Sequence, residues 1–207
     1  MTLREVWISQ VEPDDYETHM AAIDQAQANA RLVRDLFESA GVPKGSRVLI
    51  AGAGTGQIFD YLPEGYFDGY RLICSDISSR LLDRLRRRVT CETVVDDIEE
   101  SKVLPGLGAI IAVLVLEHVD FRRALASLAR LHPERLILVI QENPPQMTTA
   151  ITPGRQVPAS LCVPEESQPQ LIPIQQLTDE MTRIGFTLRR MLTAEVADEK
   201  KMIGLLF

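Results

Sequence analysis

The chain has 207 residues, of which 45% are hydrophobic, and it carries a formal net charge of −7. This length and composition predict a single domain with a sizeable core, and the negative charge disfavours nucleic acid as a partner because such binding depends on neutralised phosphates. Three cysteines without paired spacing disfavour a disulfide scaffold and a zinc site, while the charged N-terminus and short apolar runs indicate neither a signal peptide nor a membrane span. We therefore expect a cytoplasmic protein with no membrane association and no bound metal.

The first predicted element is one long helix over residues 14–40. Leu32, Val33 and Leu36 belong to an apolar stripe at helical spacing, which ends where Gly41 would close the helix. We expect residues 1–45 to form a helical cap. Tyr16, His19 and Met20 fall on this predicted helix, and for His19 we favour a position at the surface.

From residue 46 onward, short apolar runs alternate with segments of helical periodicity. The apolar runs cover residues 46–52, 70–76, 91–97, 108–116 and 135–141. Continuous apolar strands that alternate with helices are typical of a mostly parallel sheet covered on both faces. The sequence therefore predicts an α/β, doubly wound core over residues 46–142.

An arginine-rich helix is predicted after the second apolar run, in "SRLLDRLRRR". Its leucines recur at helical spacing, so the arginines fall largely on the opposite side. Two interpretations are open: a solvated helix face, which we favour, and a patch that binds nucleic acid.

The C-terminal third breaks the alternation. Residues 143–173 contain seven prolines, which predicts a lid or substrate loop, although a loop without a specific role is nearly as well supported. Residues 174–207 then predict a helix followed by two strands that are joined by the polar "ADEKK".

Three glycines stand directly after the first apolar run, in "VLIAGAGTG". Gly52, Gly54 and Gly56 would let the chain turn tightly and let a ligand approach the main chain and the start of the next helix. Gln57 stands where a dinucleotide fingerprint requires glycine, which disfavours a pyrophosphate. Asp76 ends the next predicted strand, where its carboxylate can accept hydrogen bonds from both ribose hydroxyls.

Several motifs in order resemble the class I S-adenosylmethionine-dependent methyltransferases, particularly the small-molecule branch that includes ubiquinone-biosynthesis enzymes. The resemblance rests on four stretches: "VLIAGAGTG", "ICSDIS", "VVDDIEE" and "VLVLEHVDFRRALASLARLHPERLILVIQE". It implies a Rossmann-like fold with seven strands, of which a C-terminal pair is antiparallel. It also implies S-adenosyl-L-methionine as the cofactor.

The resemblance further implies the residues that bind this cofactor. Asp76 would bind the ribose, Asp97 would accept a hydrogen bond from the adenine amino group, and Ile77 and Ile98 would contact the ring. The full implied set is Ala51, Gly52, Gly54, Gly56, Asp76, Ile77, Asp97, Ile98 and Leu114. One position departs from the family pattern: Ile50 stands where relatives usually carry an acid.

Glu117 and His118 are the predicted catalytic residues, because they follow the fourth apolar run and would border the transferred methyl group. His118 could remove a proton from a hydroxyl or an amine. The alternative is that His118 packs under or caps the following helix, with Glu117 exposed. Both interpretations stay open on the sequence alone.

The leading functional hypothesis is methyl transfer to a small-molecule acceptor by a monomer or homodimer. A second hypothesis is a protein that binds S-adenosylmethionine without transferring the methyl group. A third is a nicotinamide-dependent reductase, which Gln57 disfavours.

Overall fold

Seven strands form the centre of the structure, a computed structural model that describes residues 3–21, 24–147, 158–162 and 168–207. They are β1 (Arg47–Ala51), β2 (Arg71–Asp76), β3 (Glu92–Val95), β4 (Ala109–Val113), β5 (Leu136–Glu142), β6 (Arg190–Glu195) and β7 (Lys201–Leu206). Their order in the sheet is β3-β2-β1-β4-β5-β7-β6. Strands β1 to β5 are parallel to one another, whereas β7 is antiparallel to β5 and β6. The predicted fold class, including the C-terminal antiparallel pair, is confirmed.

Six α-helices accompany the sheet in the described parts of the chain. They are α1 (Leu3–Ser9), α2 (Pro13–Ala21), α3 (Gln25–Ala40), α4 (Ser79–Leu85), α5 (Phe121–Ala129) and α6 (Ile174–Arg183). Successive side chains of a strand point to opposite faces, so β1 contributes Val48 and Ile50 to one apolar cluster and Leu49 and Ala51 to the other. Helices α3 and α4 cover the first cluster, and α5 and α6 cover the second.

The prediction of one helix over residues 14–40 is wrong. Two helices occupy this part of the chain, and Asp24 just before α3 has a φ of 53°, a left-handed conformation that a continuous right-handed helix does not contain. Residues 22 and 23 lie outside the described residues. This break lets α2 turn back over the carboxyl ends of the strands while α3 packs against β7.

The segment between β1 and β2 is also not an α-helix. A 3-10 helix at Gln57–Tyr61 is followed by turns, and glycines at 65 and 69 with positive φ interrupt any longer helix. Phe59 and Phe67 pack edge to face here, and Phe67 also contacts Phe37 of α3. No α-helix therefore begins at the glycine turn, contrary to the prediction.

The arginine-rich face of α4 anchors α2 and is not wholly solvated. Arg84 Nη2 lies 3.0 Å from Glu17 Oε2, and Arg88 Nη1 also bonds the Glu17 carboxylate. Burial would raise the pKa of Glu17, but hydrogen bonds from Arg88 and Arg84 lower it to about 2. The leucines of α4 are buried as predicted, and its arginines hold the N-terminal helices in place.

The proline-rich segment is described only in part. Residues 148–157 and 163–167 lie outside the described residues, so the predicted lid is not tested there. Residues 158–162 contact the N-terminal helices: Ser160 Oγ donates to Asp15 at 2.6 Å, and Gln10 Nε2 donates to the Cys162 carbonyl at 2.9 Å.

None of the helices in the described ranges combines the length and the apolar character that crossing a bilayer requires.

Substituting Gly204 with alanine is expected to destabilise the fold, because α3 crosses β7 at this glycine. A Cβ at position 204 would lie 2.7 Å from Leu36 Cδ1. We expect Gly204→Ala to lower the free energy of unfolding by about 1–3 kcal/mol, measured by urea denaturation.

The Leu36→Val background is the control, since valine has no Cδ atom to meet the new methyl group. In the Leu36→Val background, Gly204→Ala should lower the free energy of unfolding by clearly less. Equal costs in the two backgrounds would contradict the proposed clash.

Candidate functional site

The carboxyl ends of β1, β2 and β4 meet where the strand order reverses, between β1 and β4. In doubly wound sheets ligands bind at this position. A cavity of about 220 Å³ lies here. Its floor consists of strand ends and the turns that follow them, and its cover comes from α1 and α2.

The glycine turn forms one wall of the cavity. Gly52 and Gly54 have φ angles of 66° and 56°. A Cβ on Gly52 would lie 2.4 Å from Val115 Cγ2, so the main chain approaches the β4 end too closely for a side chain. A Cβ on Gly54 would lie 3.6 Å from the Tyr16 ring, an ordinary contact.

Asp76 ends β2 and fixes this turn. Its Oδ2 accepts a hydrogen bond from the Gly54 amide at 2.8 Å, and its Oδ1 accepts one from the Ser78 amide at 2.9 Å. Burial raises the pKa of Asp76, and these amide hydrogen bonds oppose the rise. The Ile77 amide also bonds this carboxylate. A carboxylate accepts about four hydrogen bonds, so acceptor capacity remains for a ligand hydroxyl.

The two aspartates after β3 have different surroundings. Asp96 accepts hydrogen bonds from Ser101 Oγ at 2.6 Å and from the Lys102 amide at 2.8 Å, which hold the loop before β4. Asp97 Oδ1 accepts from the Glu99 amide at 3.0 Å, and its Oδ2 lies 2.9 Å from Arg4 Nη2 of α1. Arg4 therefore competes with any ligand for the Asp97 carboxylate.

The structure brings seven of the nine predicted cofactor residues to the cavity wall. These are Gly52, Gly54, Asp76, Ile77, Asp97, Ile98 and Leu114. Ala51 is buried in the sheet, and Gly56 faces α4, where an added Cβ would lie 3.0 Å from Leu85 Cγ. Leu114 has a φ of 52° directly after β4, so that strand ends earlier than predicted.

His118 is enclosed by aromatic rings from the N-terminal cover. Trp7 Nε1 donates a hydrogen bond to His118 Nδ1 at 3.2 Å, and the two ring centroids are 4.9 Å apart. The Tyr16 ring packs against the same indole, with 5.6 Å between the ring centroids. Loss of solvent lowers the pKa of His118 to about 4.

The hydrogen bond from Trp7 also determines the state of the imidazole. A neutral ring whose Nδ1 accepts a hydrogen bond carries its proton on Nε2. In this arrangement Nδ1 is engaged and Nε2 is a donor, so His118 could remove a proton only after Trp7 releases Nδ1. Trp7 was not among the predicted site residues, although the only tryptophan of the chain on a short N-terminal helix was an available signal.

Glu117 is buried, and the interpretation that leaves it exposed is wrong. Glu117 lines the cavity, and only 3% of its surface is exposed. Oε1 accepts a hydrogen bond from the Gln141 amide at 2.8 Å, whereas Oε2 has no hydrogen-bond partner among the described residues. Burial raises the pKa of Glu117 to about 7.

Tyr16, His19 and Met20 of α2 also line the cavity, so the surface position favoured for His19 is not observed. Burial raises the pKa of Tyr16, with a smaller contribution from the Asp76 charge. Within the part of the chain that the structure describes, no cluster of side chains could hold a metal ion.

Residues 49–138 match a family model described as "Methyltransferase domain". This segment begins in β1 and ends in β5, so it contains the glycine turn, Asp76 and the Glu117–His118 pair. No curated protein sequence matches the chain.

Solved structures of methyltransferases share the fold. Magnesium protoporphyrin IX methyltransferase from Synechocystis PCC 6803, with bound S-adenosylmethionine, is 16% identical, with a TM-score of 0.62 over 87% of this chain and 78% of that one. The N-methyltransferase NodS from Bradyrhizobium japonicum WM9, in complex with S-adenosylhomocysteine, is 14% identical, with a TM-score of 0.61 over 88% of this chain and 86% of that one. A glycopeptide N-methyltransferase complexed with S-adenosylmethionine is 18% identical, with a TM-score of 0.60 over 87% of this chain and 93% of that one.

Removing the Trp7 indole is expected to raise the pKa of His118. In the unmodified protein the imidazole should titrate at about pH 4, and in Trp7→Ala it should move toward the usual value of about 6.5 because water reaches the ring. The measurement is an NMR titration of the histidine ring resonances.

Ile8→Ala is the matched control, since Ile8 lies on the same helix but is exposed. It should leave the His118 titration unchanged. An unaltered midpoint in Trp7→Ala would show that the indole does not cause the low pKa.

Proposed function

We propose that this chain binds S-adenosylmethionine and transfers its methyl group to a small-molecule acceptor bound beside Glu117 and His118. The observation that carries this proposal is the glycine turn bonded to the buried Asp76 carboxylate at the reversal of strand order. The division into an N-terminal cap, a cofactor core, a lid and a C-terminal helix with hairpin is part of the same proposal.

The residues at the cavity fit an adenosine. Asp76 offers carboxylate oxygens with spare acceptor capacity for the ribose hydroxyls. Ile77 and Ile98 provide apolar surface on the same wall for the adenine ring. Asp97 would accept from the adenine amino group once Arg4 releases it. This breaks the partly exposed ion pair between Arg4 and Asp97, which is worth on the order of 1 kcal/mol.

Gly52, Gly54 and Leu114 would border the remaining part of the cofactor. The main chain is bare at the two glycines, and Leu114 follows the central strand β4 on the opposite wall. The residues that would hold adenosine therefore lie toward β2 and β3, and Glu117 and His118 lie beyond β4.

The bound cofactor supplies a methyl group that is already activated on a sulfonium. The contribution of the chain is then mainly orientation, which is worth up to about 7–11 kcal/mol in well-aligned systems. The cover formed by α1 and α2 would exclude water from the cavity. Trp7 and Tyr16 form part of its inner surface.

A small acceptor is supported by the modest volume of the cavity, about 220 Å³. Residues 158–162 contact the N-terminal part of the chain, through Asp15 of α2 and through Gln10, which follows α1. NodS and magnesium protoporphyrin IX methyltransferase are named for N-methylation and for a tetrapyrrole substrate, respectively. The closer likeness to ubiquinone-biosynthesis enzymes stays a prediction.

The proposed function is tested by binding followed by turnover. Thermal unfolding with S-adenosylmethionine and S-adenosylhomocysteine should show a stabilised protein, since ligand at 100 times its dissociation constant adds about 2.7 kcal/mol. Formation of S-adenosylhomocysteine with a panel of small acceptors should follow. Binding without turnover across the panel would favour a cofactor-binding protein, and stabilisation by NADH alone would favour a reductase.

Substituting Asp76 with asparagine is expected to weaken cofactor binding by about 10- to 100-fold, because a charge-assisted hydrogen bond to the ribose is lost. The measurement is isothermal titration with S-adenosylhomocysteine, after circular dichroism has shown that the variant is folded.

Asp96→Asn is the matched control for this change. Asp96 also stands at the cavity, but its oxygens are engaged by Ser101 and Lys102. Its replacement should alter affinity much less. Equal losses in the two variants would contradict the assignment of the ribose to Asp76.

A further inference from the structure

We propose that Glu117 binds a primary ammonium group of a ligand in this cavity. The inference rests on the proposed function for the source of that group: either the amino-acid part of the methyl donor or an amine acceptor. The ammonium chemistry is common to both sources, and the experiment below separates them.

The two carboxylate oxygens of Glu117 differ in their hydrogen bonding. Oε1 accepts from the Gln141 amide and so ties the segment after β4 to β5. Oε2 is inaccessible to solvent and has no hydrogen-bond partner among the described residues. A buried polar atom without a partner is costly, so its persistence in a ligand cavity points to a group that a ligand supplies.

The surroundings favour a cation as that group. Five carboxylates line the cavity, from Asp76, Asp96, Asp97, Glu99 and Glu117. Two basic side chains stand among them, and Arg4 is already paired with Asp97. An anionic ligand group would meet like charges here, whereas a cation gains from them.

An ammonium group fits better than a metal ion. In the described ranges no group of three metal-ligating side chains is found, so Glu117 would be a lone carboxylate ligand. An ammonium needs only acceptors, and it donates up to three hydrogen bonds. Trp7 and Tyr16 add aromatic surface to the same cavity, a surface that attracts cations over its faces.

The contact would position the ligand relative to β4. Glu117 lies in the 3-10 helix Leu116–His118, held by β5 through Gln141 and joined to the proline-rich segment by the Gln170 amide, which donates to the Glu117 carbonyl at 2.7 Å. The carboxylate is held through Oε1 and the main chain of the same residue is held by Gln170, so Glu117 would orient the ammonium with little loss of conformational freedom.

The experiment compares the wild-type protein with Glu117→Gln by isothermal titration. Glutamine keeps an acceptor for the Gln141 amide and leaves no buried charge, so the variant is expected to fold. Glu180→Gln is the matched control, since Glu180 is also buried but lies on α6, paired with Arg183. It should behave as wild type.

The first arm tests the donor as the source. S-adenosylhomocysteine is compared with its analogue in which hydrogen replaces the amino group. If the donor supplies the ammonium, Glu117→Gln weakens the binding of S-adenosylhomocysteine by about 10- to 100-fold and leaves the affinity for the analogue unchanged.

The second arm tests the acceptor as the source. Butylammonium and benzylammonium are titrated against the alcohols of the same shape, with and without saturating S-adenosylhomocysteine. If the acceptor supplies the ammonium, wild type prefers the amines over the alcohols, and Glu117→Gln loses that preference. If Glu117→Gln does not fold, the wild-type comparisons still test the ammonium site. Equal binding of amines and alcohols, together with equal binding of S-adenosylhomocysteine and its analogue without the amino group, overturns it.

The outcomes separate this inference from the proposed function. Equal binding of S-adenosylhomocysteine by wild type and Glu117→Gln, together with no preference for amines, overturns the ammonium site and leaves the proposed function standing. Amine preference without any binding of S-adenosylhomocysteine supports the ammonium site and contradicts the proposed function.

Discussion

The hydrogen bond between the Gly54 amide and the Asp76 carboxylate is the interaction on which the site depends. It joins the turn after β1 to the end of β2, beside the bond from the Ala53 amide to the Ser75 carbonyl at 2.9 Å. The Asp96 amide donates to the Asp76 carbonyl at 3.0 Å and brings in the end of β3. Three strand ends are therefore locked together, so the acceptor groups face the cavity before any ligand arrives.

The cover over this site is held from two sides. Arg84 of α4 and Arg88, which follows this helix, bind the acidic residues of α2, so α2 is attached through charges at the edge of the cavity. Over the cavity, Arg4 of α1 pairs with Asp97 and Trp7 bonds to His118. The contacts over the cavity use the same groups that ligands would use. Under the proposed function, a ligand that uses the Asp97 carboxylate has to displace Arg4, so its binding would be coupled to the release of α1 from this contact.

Glu117 and His118 share one buried environment, which shifts their pKa values in opposite directions. Loss of solvent favours the neutral form of both Glu117 and His118, which raises the pKa of the acid to about 7 and lowers that of the imidazole to about 4. Glu117 keeps one oxygen without a protein partner, whereas His118 Nδ1 is occupied by Trp7. This geometry leaves the Glu117 carboxylate, and not His118 Nδ1, open to the ligand group that we propose.

The sequence by itself determined the strands, their covering by helices and the position of Asp76 at a strand end, because apolar runs and helical spacing are local patterns. It did not predict the helix break at Asp24 or the turns at residues 57–70, where a left-handed residue and glycines override the apolar spacing. Only the tertiary structure decided that the arginines of α4 bind α2, that Glu117 is buried, and that Trp7 bonds to His118, 111 positions away. Such contacts depend on how distant elements pack together, and no short stretch of sequence contains that information.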